Sequence, residues 1–430
     1  MDYSQLLIDV QKKASVSVQS VRDLKLLKEE MEVKSDLVIS YNTLRRVFGF
    51  LSQNTPSTNT LNKLSMFLGF NTYSAYLNHK ELYNDWHFYQ TTLRMMVSDQ
   101  LTEEDILVIR NGILDSNKIT TIAQLISCLI YANKATDLDR IFLNLESHKI
   151  DDSSKMKFAT IISNVFYTIP KKDALHIYDS LNQHNSFRSI VPLYYVDYSK
   201  LNGIYADILK SVYTNSSLAS ERFFVKLMLS YWQFYSGGKM TNKVMKPGLF
   251  DSFNPVLRGR YFGYQILWTN DFNLTSEVFT EIKKNDTSLF TQEIILSLII
   301  KSDYKTLTSL YNLYYEDIFE FDSWTTKTRI TIALLASAII NWNNKSLKIA
   351  TANLEMIELE KIEMGYYEYL SLFYELVSMM ITYANSDYDE NKRAHINLKK
   401  LVKKTGFKIF LSKSSAFILS NKSSECQNRI

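Results

Sequence analysis

The sequence predicts an all-α protein, a small N-terminal helical bundle followed by a long array of helical hairpins. Breaker residues are scarce, with 11 Gly and 5 Pro among 430 residues, which favours long helices over a turn-rich β architecture. Hydrophobic residues make up 46% of the chain and charged residues 22%, enough to bury a large core over two or three units. Apolar positions recur at three- and four-residue spacing, interrupted by short polar breaks such as ANKATD, TIPKKD, KKNDTS and SDYK. That is the pattern of successive amphipathic helices.

Residues 4–13 and 20–32 read as the first two helices, with Leu24, Leu27 and Met31 on one stripe of the second. Ser20 is placed to cap it, and Asp23 supplies an acid at its third position. A third helix starts at Tyr41. Leu44, Val47, Phe48 and Leu51 form its apolar stripe, and Asn42, Thr43, Arg45 and Arg46 fall away from that stripe. Ser40 is placed as its N-cap, leaving the first turn open toward a phosphate. These are the side chains a DNA-reading helix needs: Arg for guanine, Asn for adenine, Ser or Thr for phosphate. After a polar turn containing Pro56, residues Leu61, Leu64, Phe67 and Leu68 form the packing face of a fourth helix. It ends at Gly69, a natural C′ residue. A short helix at 73–77 closes the bundle and 78–84 form a connection, so the domains are expected at 1–80 and 81–430.

The segments ISYNTLRR and TLNKLSMFLGF, with Pro56 between them, resemble the second half of phage-repressor-type (XRE-like) helix-turn-helix domains. The same stretch is similar to N-terminal segments of uncharacterised Bacteroidetes proteins. The resemblance spans residues 36–77. It implies that Ser40, Asn42, Thr43, Arg45 and Arg46 lie on the DNA side, with Leu44, Val47, Leu61, Leu64 and Leu68 in the core. EVKSDLVIS is longer than the family's tight turn before the reading helix. A helical bundle that shares this packing pattern and reads no DNA is the competing expectation.

Beyond the bundle, segments 119–150, 153–186, 288–317, 325–363 and 365–406 each read as a helical hairpin, recurring at a period of roughly 33–40 residues. Such a period is the signature of an α-solenoid. The strict tetratricopeptide pattern of Trp, Leu-Gly, Tyr, Ala and Pro is absent, so the array is expected to be TPR-like. A repressor-like head joined to such an array resembles Gram-positive peptide-responsive regulators. That likeness implies a dimeric transcription regulator that binds double-stranded DNA and holds a peptide or protein partner on its helical repeat. A protein-interaction scaffold with a helical cap and no sequence-specific DNA binding is the alternative.

Charge is unevenly placed. Residues 1–80 carry 10 Lys/Arg against 7 Asp/Glu, residues 391–430 carry 10 against 1, and the middle carries 29 against 37. Basic ends suit a polyanionic partner. Lys399, Lys400, Lys403 and Lys404 fall on the side of a helix away from Ala394, Leu398, Leu401 and Val402. They read either as a second phosphate-contacting or membrane-surface face, or as the solvated outer face of a capping helix. Residues 236–263 hold five of the glycines together with Lys239, Lys243, Lys246, Arg258 and Arg260. They read as an insertion between repeats, or as a basic loop for RNA.

Catalytic patterns are thin. The six histidines show no H-x-x-x-H spacing, and no glycine-rich phosphate loop occurs, so no enzyme activity, cofactor or metal is expected. Asp137/Asp139 and Asp387/Asp389 could hold a metal, but they sit where acids favour helix starts. Cys128, in an apolar helix, is expected to be a buried thiol in a reducing compartment. The N-terminus lacks a signal-peptide pattern, and no apolar run is long enough to span a bilayer. A cytoplasmic protein without membrane association is expected.

Overall fold

The computed structural model describes residues 3–35, 37–51, 55–239, 243–269, 287–319 and 326–427, with positions 278 and 280 between. Among them every regular element is helical and none is a strand. No helix of the described residues is long and apolar enough to cross a membrane. Contacts divide the chain into two compact units, Met1–Ser98 and Asp99–Ile430.

The first unit holds α1 (Ser4–Ala14), α2 (Asp23–Ser35), α3 (Tyr41–Val47), α4 (Thr58–Leu68) and α5 (Tyr73–Val97). α4 packs between α1 and α5, and α2 touches α1, α3 and α4. Their shared core includes the foreseen Leu24, Leu27, Met31, Leu44, Val47, Leu61, Leu64 and Phe67, joined by Leu6, Val10, Tyr73 and Tyr76. The Tyr76 hydroxyl donates to Asp9 at 2.6 Å and ties α5 to α1. Burial first, and then Asp9, push that phenol well above its ordinary range.

α2 starts at Asp23 rather than just after Ser20. The Asp23 carboxylate accepts from the Gln19 and Ser20 N–H groups and from the Ser20 hydroxyl. Those bonds hold it below the usual carboxylate range. The larger departure is α5. It runs unbroken through 78–84, where a connection was expected, because no Gly or Pro occurs between residues 71 and 111. The division accordingly falls after Ser98 rather than near residue 80.

The second unit begins with α6 (Glu103–Ile113), α7 (Ile119–Tyr131), α8 (Ala135–Phe142), α9 (Asp152–Thr168), α10 (Lys171–Leu181) and α11 (Asn185–Ile190). It continues with α12 (Ile204–Asn215), α13 (Ala219–Tyr235), α14 (Pro255–Trp268), α15 (Thr287–Lys301) and α16 (Tyr304–Phe319). α17 (Thr326–Asn343), α18 (Leu347–Glu355), α19 (Met364–Ala384), α20 (Tyr388–Thr405) and α21 (Ile409–Gln427) complete it. The pairs α7/α8, α9/α10, α15/α16, α17/α18 and α19/α20 occupy the five segments expected to be hairpins. First helices pack on first helices of the next pair, as α7 on α9, α15 on α17 and α17 on α19. On the second side, α8 packs on α10 and α10 on α12.

Four of these hairpins turn by one device. Asn133, Ser302, Lys345 and Ser386 each take a left-handed φ between 54° and 61°. The next residue's N–H then reaches back five residues, from Lys134 to Leu129, Asp303 to Leu298, Ser346 to Asn341 and Asp387 to Thr382. These are Schellman closures built without glycine, the usual residue for that conformation.

Two expectations fail here. Residues 255–263 belong to α14, so Arg258 and Arg260 are buried and not part of a basic loop. α14 lies so close to α15 that a Cβ at Gly259 would collide with the Phe290 carbonyl oxygen. Gly259 and Gly263, two of the five glycines that suggested a loop, are instead needed for helix contact. Cys128 is exposed, not buried. The helical period puts it on the outer stripe of α7 with Gln124 and Tyr131, away from Leu125, Ile126 and Leu129.

Candidate nucleic-acid interface

The α3 surface is built by capping and by two anchors. Ser40 is the N-cap. Its Oγ accepts from the Thr43 N–H at 3.1 Å and lies 2.7 Å from the Thr43 hydroxyl. Leu44 and Val47 sink into the bundle core, which orients Asn42, Arg45 and Arg46 outward at helical spacing. The Tyr41 hydroxyl donates to the Val21 carbonyl at 2.8 Å, and the Lys63 ammonium donates to the Val38 carbonyl at 3.0 Å. Those contacts fix α3 against the turn that leads into α2, and the segment before α3 against α4.

Ser40, Asn42 and Arg46 are exposed, and Thr43 and Arg45 are half-buried. Arg46 makes no ion pair among the described residues. Arg45 lies over the Tyr41 ring, with its guanidinium carbon 5.9 Å from the ring centroid, and its Nε is buried without a hydrogen bond. The structure leaves Ser40 and Asn42 exposed at the start of α3 and Arg46 exposed in its last turn, with Thr43 half-buried and Arg45 half-buried and partly engaged. Tyr41 thus does more than start the helix: its ring carries Arg45. Its spacing of four from Arg45 was the available signal.

The second predicted surface lies on α20. Ala394, Leu398 and Val402 are buried, and Lys399, Lys400, Lys403 and Lys404 are exposed. Lys404 pairs with Glu368 of α19 at 2.5 Å, so that lysine has a fold-level partner. Gly406 closes the helix with φ 73°.

The acidic pairs and an aromatic run on α13 belong to the fold. Asp137 pairs with Arg140 and Asp139 with His184, while Asp387 caps α20 by accepting from the Glu390 N–H. Tyr231 and Tyr235 are buried in the core, and Trp232 and Phe234 pack partly against it. What the sequence did not announce is a buried polar centre. Arg260 of α14 pairs with Glu293 of α15 at 3.2 Å, and the Tyr198 hydroxyl donates to Glu293 at 2.7 Å. Nearby segments carry two carboxyls, Asp197 and Glu363, that burial pushes up to about 7.

No protein-family model, curated protein or solved structure matches the chain.

Proposed function

We propose that this protein is a non-enzymatic, DNA-binding transcription regulator. Its first unit reads duplex DNA with a helix-turn-helix formed by α2 and α3. Its second unit, a TPR-like solenoid, receives a peptide or protein partner. The observation that carries this reading is the exposed polar face of α3. Asn42 and Arg46 stand outward, Arg45 lies beside them, and Ser40 caps the helix over a closed apolar core. Asn and Arg are the side chains that read adenine and guanine edges through paired hydrogen bonds. The stacked first and second helices of successive hairpins support the solenoid reading.

A scaffold reading draws on a different observation. Leu26 and Val33 of α2 and Val38 in the following turn are exposed, as an apolar docking face would require.

Titration of the full chain against its own upstream DNA, with unrelated duplex as competitor, decides between them. Two lost base contacts are worth about 2–6 kcal/mol, so Arg45→Ala/Arg46→Ala should weaken preferred-site binding by at least about 30-fold. Unrelated duplex should be affected far less. Sequence preference that survives the double substitution refutes the assignment of α3.

A further inference from the structure

We infer that the outer face of α20 is a second DNA contact, one that grips the phosphate backbone of duplex DNA without reading its sequence. Lys392, Lys399 and Lys403 follow one another at spacings of seven and four on a single stripe, with Lys400 beside them and Lys408 just past the helix end. All five are exposed, and none makes an ion pair among the described residues. Some lysines elsewhere take acids on their own helix, as Lys28 takes Glu32, Lys34 takes Glu30 and Lys210 takes Asp207, while exposed Lys12, Lys25 and Lys226 take none among the described residues. From residue 391 to 408 there is no Asp or Glu at all.

The fold does not explain this arrangement. Lys403 and Lys404 suit the C-terminal dipole of α20, and Lys404 has Glu368. Lys399 and Lys400, however, each face another lysine four residues on, and like charges at that spacing destabilise a helix. A helix selected only for stability would carry glutamates there. A conflict between local preference and global fold points to a functional site, and a polyanion removes the repulsion by neutralising several ammonium groups together.

Duplex DNA fits this face better than a lipid surface. The apolar side of α20 is spent on the core through Ala394, Leu398 and Val402, which leaves Ile396 as the one exposed aliphatic among the lysines. An interfacial helix needs a whole apolar face to enter the headgroups. Lysine is a point charge with no planar fork, so it suits phosphate contact and not base reading.

The test compares the full chain with K399E/K400E and, separately, with R45A/R46A. Binding to a random-sequence duplex is followed by fluorescence anisotropy between about 50 and 200 mM salt. The K399E/K400E protein should bind every duplex more weakly by a common factor, and its salt slope should fall by about 2. Its melting temperature should stay level or rise, because each new glutamate would face a lysine four residues on. That combination separates lost binding from lost folding. An unchanged slope overturns the proposal. So does binding confined to phosphatidylserine–phosphatidylcholine vesicles with none to duplex. The head is scored independently: R45A/R46A that leaves sequence preference intact refutes the reading of α3, while the lysine result stands by itself.

Discussion

Replacing Glu293 with Gln should be among the most damaging isosteric changes in the second unit. The pair it breaks is closed to water, with the Arg260 and Glu293 side chains 6% and 2% exposed and their charged atoms 3.2 Å apart. The amide keeps the shape and can still accept from the Tyr198 hydroxyl, which lies 2.7 Å from the carboxylate. What changes is that the Arg260 charge loses its counter-ion between α14 and α15. Stranding one member of a buried pair costs about 3–5 kcal/mol. Domain stabilities are about 5–15 kcal/mol, so the loss is a large share of the total. With a urea slope of about 3 kcal/mol per molar, the midpoint should fall by about 1–2 M. Circular dichroism of the full chain in urea measures it. The double variant Arg260→Met/Glu293→Gln removes the stranded charge and keeps an acceptor for Tyr198, and it should recover most of the loss. A single variant that loses less than about 1 kcal/mol refutes the claim that the pair is buried and coupled. So does a double variant as unstable as the single.

Two further outcomes follow from the same geometry. Burial raises Asp197 and Glu363 to about 7, so the folded state holds protons that the unfolded chain releases near pH 4. Stability of the second unit should therefore fall as pH rises from about 4 to 7, by up to about 1.4 kcal/mol per pH unit for each group. Asp197→Asn and Glu363→Gln should flatten that slope in urea titrations at stepped pH, and an unaltered slope would clear these two carboxyls. At the hairpin turn after α17, Lys345 holds a φ of 61°, which an L-residue adopts at a cost and glycine adopts freely. Lys345→Gly should stabilise by about 0.5–1 kcal/mol after the added entropy of the unfolded chain is counted, whereas Lys345→Val should destabilise. Thermal melts of both variants decide it.

Much of the α3 surface could be read from the residues. Ser40 as cap, Leu44 and Val47 inward, and Asn42 and Arg46 outward all depend on contacts within four residues, which helical periodicity specifies. The same holds for Gly69 and Gly406 at helix ends, and for the five hairpin segments. The half-buried state of Arg45 was not legible in that way. It depends on Tyr41 being held by the Val21 carbonyl, twenty positions earlier in the chain. Exposure along α20 was legible for all four lysines, but the Lys404 partner came from α19.

The sequence by itself determined that the chain is helical, where most helices start and stop, and which stripe of each faces inward. These are local matters of breaker content, capping chemistry and the 3.6-residue period. Tertiary structure decided what composition misread. Arg258 and Arg260 looked like part of a basic loop, yet the close approach of α14 to α15 at Gly259 draws both into the core. α5 looked short, yet without a breaker it continues to Val97 and moves the division of the chain to Ser98. Cys128 looked buried by the hydrophobicity of its neighbours, but the faces its helix gives to α6, α8 and α9 lie elsewhere. For Arg258 and Arg260 the deciding contact joins residues about thirty positions apart, and nothing in local periodicity encodes which distant partner will be there. The extent of α5 and the face of Cys128 follow from breaker content and helical period, which composition alone obscured.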